Sequence, residues 1–481
     1  MNLSEYARYD AIGLADLIRS GQMSAEELFQ VAFNAVNLVN PQLNAAVELY
    51  ESSAALYQPN LEGRLYGIPF GIKDFGAAFA GQLQEANSIF LQGYTCEEET
   101  YLAQSYREAG LQTVVRTTIP EFGYNTCTDG GVCGVTHNPW DLSRNSGGSS
   151  GGSAALVAAG ALPVAHANDG GGSIRIPAAY CGLVGLKPTR MRNSIGPSNS
   201  DVLFGMGGEH VVSRTVRDSA VLLDCTCGPR TGDFVEIPPP SGSFLDAVSS
   251  KPNKLKVGII DHPWTHSWGL SNSMEDALHR TAQQLQDLGH TVETTNIKVD
   301  RDQFDSAVAA SWCSTVATTV LASSMKTGRT PSIDNIDPAM FACYEYGLGL
   351  SAVDILVMQY FFNSLCRQVG EMFETYDVLL TPTTVDVAPR NGVLNSVQAG
   401  FDAISWTKHI FGPAPYTATF NITGHPAVSL PLQSDHTGLP LGMHFVGRFG
   451  GEVTLFNLAG QLERAYPWID RKPFVHVSSS S

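Results

Sequence analysis

The glycine-rich sequence NSGGSSGGS occupies residues 145–153, and a second such run, NDGGGSIR, occupies residues 168–175. Ser149 lies in the first run and Ser173 in the second. Glycine beside a serine lets the backbone turn sharply and approach a substrate closely. It also frees successive N–H groups to point at one spot, where they can stabilise an oxyanion. The two runs therefore indicate a site for acyl transfer with a serine nucleophile.

A serine hydroxyl is a weak nucleophile until a base removes its proton. None of the twelve histidines adjoins the glycine-rich runs, and a G-x-S-x-G elbow is absent from them. The other available base is Lys73, in the segment GIPFGIKDF at residues 67–75. Its apolar neighbours Phe70 and Phe75 favour a neutral amine, because burial disfavours the charged form. Asp74 favours the charged amine unless its carboxylate points elsewhere, and the sequence leaves both possibilities open.

The first glycine-rich run has two other interpretations. Its composition is typical of a flexible linker, but it lies between NPWDLSR and AALVAAGAL rather than between two domains. A phosphate-binding loop would need a G-x-G-x-x-G or a G-x-x-x-x-G-K-[ST] pattern, and the run has neither. The joint presence of two serine runs and a lysine segment favours catalysis.

Composition excludes several classes of function. The net charge of −17 argues against nucleic-acid binding, which requires a basic face. Nine cysteines without C-x-x-C spacing predict reduced thiols in a cytoplasmic protein. Cys225 and Cys227 form a C-x-C, but no second pair completes a metal site. No segment has the roughly 18–20 continuous apolar residues of a membrane span. We therefore expect neither a metal, a cofactor nor a membrane.

Predicted strands alternate with predicted helices along the chain, which indicates a layered α/β fold. The strands are expected at residues 112–115, 162–165, 255–260, 291–294 and 377–380. The helices are expected at residues 4–36, 99–110, 154–160 and 274–288. Residues 229–252 are rich in proline, serine and glycine and predict a surface connection, and residues 476–481 predict a frayed tail.

The segments GIPFGIKD, NPWDLSR-x-x-GGSSGGSAA and DGGGSIRIPAAYCGLVGLKPTR resemble the amidase signature family almost end to end. RTVRDSAVLLD at residues 214–224 and FNITGHPAVSLPL at residues 420–432 resemble further segments of that family. The resemblance implies a single large α/β/α sandwich with a mixed, twisted central sheet. It would span residues 1–481 as one domain, with N-terminal helices over about residues 1–60.

The resemblance also implies roles for particular residues. Ser173 would be the nucleophile, Ser149 a bridging serine after a cis peptide bond, and Lys73 the general base. The oxyanion hole would consist of backbone N–H groups of Gly170, Gly171, Gly172 and Ser173. The residues expected to brace these loops are Ser150, Asp169 and Arg175.

The implied reaction is hydrolysis of a carboxamide C–N bond through an acyl-enzyme on Ser173, with a small-molecule amide as substrate. Within the family, the DGGGSIR form and residues 209–233 resemble the group of 6-aminohexanoate cyclic-dimer hydrolases, so linear or cyclic amides are expected. The residues considered for substrate binding are Tyr124, Asn125, Cys127 and Cys313. Trp312 and residues 411–413 are further pocket candidates.

Three alternatives use the same fold. The amidase (glutaminase) subunit of a tRNA-dependent amidotransferase shares the triad, but the charge of −17 and the DGGGSIR form argue against it. A fatty-acid-amide enzyme on a membrane would need a span or a basic amphipathic helix. A catalytically inactive binding protein would not need the intact triad. We also expect a homodimer.

Overall fold

Thirteen strands lie within residues 1–52, 56–251, 253–264 and 268–480, which the computed structural model describes. The first seven are β1 (Ala46–Leu49), β2 (Pro69–Lys73), β3 (Gln112–Thr117), β4 (His137–Asn138), β5 (Asp141–Asn145), β6 (Val164–Asp169) and β7 (Val184–Lys187). The others are β8 (Gly208–Ser213), β9 (Lys256–Ile259), β10 (Thr291–Thr294), β11 (Val378–Pro382), β12 (Ala427–Ser434) and β13 (Pro440–Gly447). Eleven of them form one sheet in the order β1-β3-β2-β6-β8-β7-β12-β13-β11-β9-β10, and β4 pairs with β5.

Fifteen α-helices lie in the same described ranges. The first eight are α1 (Leu3–Tyr6), α2 (Ala11–Arg19), α3 (Ala25–Leu43), α4 (Tyr101–Glu108), α5 (Gly151–Ala158), α6 (Arg175–Cys181), α7 (Val216–Thr226) and α8 (Phe244–Ser249). The others are α9 (Asn272–Asp287), α10 (Arg301–Thr327), α11 (Pro338–Gly349), α12 (Ala352–Thr375), α13 (Ala403–Phe411), α14 (Thr417–Ile422) and α15 (Glu452–Ala465). The N-terminal region, expected as helix over residues 4–36, contains three helices separated by turns.

The central sheet is mixed. β2 runs parallel to both β3 and β6, and β9 runs parallel to both β10 and β11. The strands from β6 through β8, β7, β12 and β13 to β11 pair antiparallel. Because β2 and β6 are parallel neighbours, their carboxyl ends meet at one edge of the sheet. Ligands of α/β proteins typically bind at such an edge.

Helices cover both faces of this sheet. Successive side chains of a strand point to opposite faces, and those of β11 enter different cores. Leu379 packs in a core to which α10, α12 and α13 contribute, whereas Val378 and Leu380 pack in a core with α9 and α15. The predicted α/β/α sandwich with a mixed central sheet is therefore confirmed.

Two segments differ from the expectation. Residues 229–252, expected as a surface connection, contain α8, whose Phe244 and Val248 are buried in the core with α15. Residues 477–480, expected within a frayed tail, form a 3-10 helix. Val477 is buried and its N–H donates to the carbonyl of Ala159 at 3.0 Å, so a long-range contact orders this segment.

The helix α10 is long and apolar enough to cross a membrane by length and composition alone. In its most apolar window, 56% is buried inside the protein. Its Phe304, Val308 and Trp312 pack in the core beneath α12 and α13. A core helix meets the same criteria, so this feature is explained by burial.

Candidate active site

Lys73 ends β2, and the residues that contact its amine come from the loop before α5 and from β6. Ser149 and Ser150 stand immediately before α5, and Ser173 lies between β6 and α6. The parallel pairing of β2 with β6 brings the lysine and the second loop to one edge of the sheet. The cluster is buried: Lys73 is 1%, Ser149 2% and Ser173 5% exposed.

The amine of Lys73 makes three side-chain hydrogen bonds. Its Nζ lies 2.7 Å from Ser149 Oγ, 3.0 Å from Ser150 Oγ and 2.5 Å from Asn168 Oδ1. The contact with Ser149 joins residues that are 76 positions apart in the sequence. The structure therefore brings together Lys73, Ser149 and Ser150, and it adds Asn168.

Burial lowers the pKa of Lys73 to about 7, while the negative charges of Glu209 and Asp169 oppose this effect. The neighbouring Asp74 does not bind the amine. Its carboxylate accepts hydrogen bonds from Arg116 Nη1 at 2.7 Å and from the backbone N–H of Glu85 at 3.0 Å. The carboxylate thus points elsewhere, which resolves the conflict that the sequence left open.

The first serine loop packs too closely for side chains at its glycines. A Cβ on Gly148 would lie 2.7 Å from the backbone carbonyl carbon of Cys127. The peptide bond between Gly148 and Ser149 is cis. The backbone of Cys127 therefore packs directly against Gly148.

The second loop surrounds Ser173, whose Oγ makes no hydrogen bond within the described part of the chain. The carboxylate of Asp169 accepts the backbone N–H of Gly172 at 2.7 Å and that of Ile174 at 3.2 Å. The N–H of Gly172 is therefore occupied in this structure, and its expected contribution to an oxyanion hole stays a prediction. The N–H groups of Gly170, Gly171 and Ser173 have no acceptor among the described residues.

Asp169 and Arg175 form a buried pair that holds this loop. The guanidinium donates to Asp169 from Nε at 2.8 Å and from Nη2 at 2.9 Å. Burial raises the pKa of Asp169, but Arg175 outweighs it and holds the pKa well below its usual range. The carboxylate stays ionised as a backbone acceptor, so Asp169 and Arg175 lie where bracing residues were expected.

Aromatic side chains flank the loop at residues 170–172. A Cβ on Gly170 would lie 2.7 Å from Trp312 Cζ2, and one on Gly171 would lie 2.6 Å from Phe411 Cζ. Tyr124 stacks on Trp312 with ring centroids 4.5 Å apart and an interplanar angle of 8°. These three rings form an apolar wall beside the predicted nucleophile.

The other substrate-binding candidates are engaged in packing. Asn125 donates from Nδ2 to the carbonyl of Leu394 at 2.7 Å and accepts the N–H of Cys127 at 3.0 Å. Cys313 is fully buried on α10, where Gly347 of α11 packs against its backbone. In this structure neither residue presents a free polar group beside Ser173.

Sequence reasoning missed three residues around the two loops. Asn168 directly precedes Asp169 in the run NDGGGSIR, near the end of β6, and this position was a usable signal. Asn421 donates to Asp169 Oδ1 at 2.8 Å, and Thr417 Oγ1 donates to the carbonyl of Gly171 at 2.6 Å. They come from α14, about 250 residues away, and no local pattern identifies them.

Comparisons with known proteins identify the family of this chain. The family model described as Amidase matches residues 27–456. The 6-aminohexanoate-cyclic-dimer hydrolase of Paenarthrobacter ureafaciens is 32% identical over 473 residues, covering 96% of this chain and 96% of that protein. The putative amidase AmiC of Mycobacterium bovis is 32% identical over 467 residues, covering 95% of each chain.

A solved structure of a 6-aminohexanoate cyclic dimer hydrolase complexed with substrate has a TM-score of 0.89 and 31% identity. It covers 98% of this chain and 99% of that chain. The chain therefore belongs to the amidase signature family. It is a hydrolase that acts on amide C–N bonds of small molecules.

Proposed function

We propose that this amidase works through a triad of Ser173 as nucleophile, Ser149 as proton relay and Lys73 as general base. The observation that carries the proposal is the 2.7 Å hydrogen bond between Lys73 Nζ and Ser149 Oγ in a buried cluster. A base whose pKa is near 7 combines a large neutral fraction with enough basicity at neutral pH. These features support a role for Lys73 in activating a serine.

In the proposed reaction, neutral Lys73 takes the proton of Ser149, and Ser149 takes the proton of Ser173. At the same time the Oγ of Ser173 bonds to the amide carbon of the substrate. Backbone N–H groups of Gly170, Gly171 and Ser173 stabilise the oxyanion. The C–N bond then breaks, and the proton on Lys73 returns through Ser149 to the departing amine. Water repeats the sequence to release the acid from Ser173.

We propose linear or cyclic amides with an extended apolar acyl part as substrates, such as the 6-aminohexanoate cyclic dimer. The wall formed by Tyr124, Trp312 and Phe411 supports an apolar chain next to the reacting carbonyl. Among the described residues, Trp312 Nε1 is buried without a hydrogen-bond acceptor. A second amide oxygen of the substrate would satisfy it. Trp312→Phe should then raise KM and leave kcat nearly unchanged.

A fluorophosphonate probe tests the nucleophile without a known substrate. The wild type should be labelled once, and Ser173→Ala should lose both the label and amide turnover. Ser194→Ala is the matched control, because Ser194 is also buried and its Oγ binds Asp233 instead. An unlabelled wild type would instead favour an inactive binding protein.

A panel of amides then tests the substrate class by amine release. It contains an aryl acetamide, the linear and cyclic dimers of 6-aminohexanoate, and glutamine. We expect release from the cyclic or linear dimers. Ammonia release from glutamine alone would contradict this proposal and favour an amidotransferase subunit.

Further predictions concern the whole protein. We propose that residues 1–481 form one domain, since one sheet contains strands from residue 46 to residue 447. The nine cysteines are all free, which supports a cytoplasmic location.

A homodimer stays a prediction, and sedimentation velocity tests it. Liposome flotation and a DNA-binding assay should both give negative results.

A further inference from the structure

The side chain of Asn168 is held between the amine of Lys73 and the backbone of the next turn. Its Nδ2 lies 3.0 Å from the carbonyl oxygen of Phe75, and its Oδ1 lies 2.5 Å from Lys73 Nζ. A carbonyl oxygen only accepts hydrogen bonds, so the NH₂ group must face Phe75. The amide oxygen therefore faces the lysine in a fixed orientation.

The space around this amide requires a glycine. A Cβ on Gly76 would lie 2.6 Å from Asn168 Nδ2 and 2.9 Å from Glu209 Oε1. Gly76 has a φ of +100°, which side chains rarely adopt. The turn after β2 is thus shaped to admit the amide of Asn168.

The three partners of Lys73 differ in what they can donate. Asn168 Oδ1 can only accept. Ser150 Oγ lies 3.3 Å from the backbone carbonyl of Asn168, so its own hydrogen is directed there and its oxygen accepts from Lys73. A neutral amine has two N–H groups and one lone pair. With both N–H groups donated to Asn168 and Ser150, the lone pair is left for the hydroxyl of Ser149.

We propose that Asn168 is a positioning residue that directs the lone pair of Lys73 Nζ onto Ser149 Oγ. This inference depends on the proposed role of Lys73 as the general base. Asn168 acts through the lysine and does not touch the reacting bond. Because Asn168 is a neutral acceptor, it orients the amine without holding an extra proton on it. A carboxylate at the same place would stabilise the ammonium form.

Other charged and titratable groups lie around Lys73. Glu209 and Asp169 raise the pKa of Lys73 from β8 and β6. His166 Nδ1 accepts the backbone N–H of Lys73 at 3.4 Å, and its Nε2 lies 2.7 Å from Glu209. Asp74 is paired with Arg116. Since these groups stay unchanged in an Asn168 variant, a shift in the pH profile reports the replaced side chain.

The test measures the rate of fluorophosphonate labelling of Ser173 from about pH 6 to about pH 10. In Asn168→Asp, the new carboxylate favours the ammonium form. The acid limb should move to higher pH by about one unit or more, so labelling near pH 7 slows about fivefold or more and recovers in alkali. In Asn168→Ala, the limb should move to lower pH while the plateau falls, because the lone pair is no longer directed.

Asn363→Asp is the matched control, because Asn363 is exposed on α12 and the charge change is the same. It should leave the profile unchanged. A purely structural role would lower the rate of both Asn168 variants at every pH without moving the limb, and that result overturns the inference. If Asn168→Asp does not fold by circular dichroism, an unchanged limb and plateau in Asn168→Ala overturns it.

The outcome for Lys73 separates this inference from the proposed function. Labelling of Lys73→Met at the wild-type rate would reject Lys73 as the base, and the inference with it. A slow Lys73→Met variant combined with an unshifted Asn168→Asp profile rejects the role of Asn168 alone.

Discussion

Two lysines are buried in the described part of the chain, and only one of these two contacts a side chain there that can exchange a proton. Lys73 ends β2 and Lys187 ends β7, and each is 1% exposed. Burial lowers the pKa of both amines to about 7. By burial and by pKa, the two residues are indistinguishable.

Their partners differ. Lys73 Nζ contacts the hydroxyls of Ser149 and Ser150, whereas Lys187 Nζ donates to the backbone carbonyl of Pro188 at 2.7 Å. After burial, the positive charge of Arg175 is the main influence that lowers the pKa of Lys187. A carbonyl has no proton to give, so Lys187 cannot activate a nucleophile through it. A lowered pKa therefore does not identify a catalytic base unless the base also reaches a hydroxyl.

The largest expected effect separates the two lysines by activity. Lys73→Met should reduce kcat/KM by about 10²- to 10⁴-fold, because the general base is lost. Lys187→Met should retain activity within about threefold, because methionine is apolar and of similar length. Steady-state kinetics with an amide that the wild type hydrolyses measures both. Equal losses in the two variants would mean that burial, and not the hydroxyl partner, defines the important lysine.

The pH dependence sharpens the same comparison. Since Lys73 acts as a base only when neutral, kcat/KM should rise with pH through an apparent pKa of about 7 and then level off. At one pH unit below this value, kcat/KM should be about tenfold lower than on the plateau at higher pH. Lys187→Met should keep this limb, and the residual activity of Lys73→Met should lack it. If the acid limb disappeared in Lys187→Met, the titrating group would be Lys187 and not Lys73, which would contradict the proposed mechanism.

The sequence predicted the layered fold but not the register that builds the site. Alternating apolar runs and helices indicated α/β layers, and the resemblance implied the mixed sheet. The parallel pairing of β2 with β6, which brings Lys73 to Asn168, is a contact across 95 positions. No local pattern encodes it. Likewise, Val477 is ordered by Ala159, far from the serine-rich end.

Within the site, the glycine-rich runs identified the serines because glycine spacing is a local signal. The orientation of Asp74 could not be predicted, since it depends on Arg116 on the neighbouring strand. The hydrogen bond from the N–H of Gly172 to the carboxylate of Asp169 could not be predicted for the same reason. The local sequence does not show which backbone N–H group a nearby carboxylate accepts. The partners that orient the Asp74 carboxylate and occupy the N–H of Gly172 are therefore set by tertiary packing and not by local sequence.

The smallest expected effect concerns stability and should not distinguish the two lysines. An unfolded lysine has a pKa near 10.5, and each buried amine has one of about 7. Between these values the unfolded chain binds more protons, so the free energy of unfolding rises with pH. The destabilising cost is complete below about pH 7 and disappears toward about pH 10.5. From pH 7 to pH 8, each lysine should contribute about 1 kcal/mol to the rise.

Urea unfolding at these two pH values measures the rise. It should be smaller by about 1 kcal/mol in Lys73→Met and in Lys187→Met alike. Lys254→Met should leave it unchanged, because Lys254 is exposed. If Lys73→Met and Lys187→Met had equal stability profiles but very different activities, the protein would tolerate a buried amine at both positions and use only that of Lys73 in catalysis. If neither variant changed the rise, both amines would be charged in the folded protein, and Lys73 could not serve as the base at neutral pH.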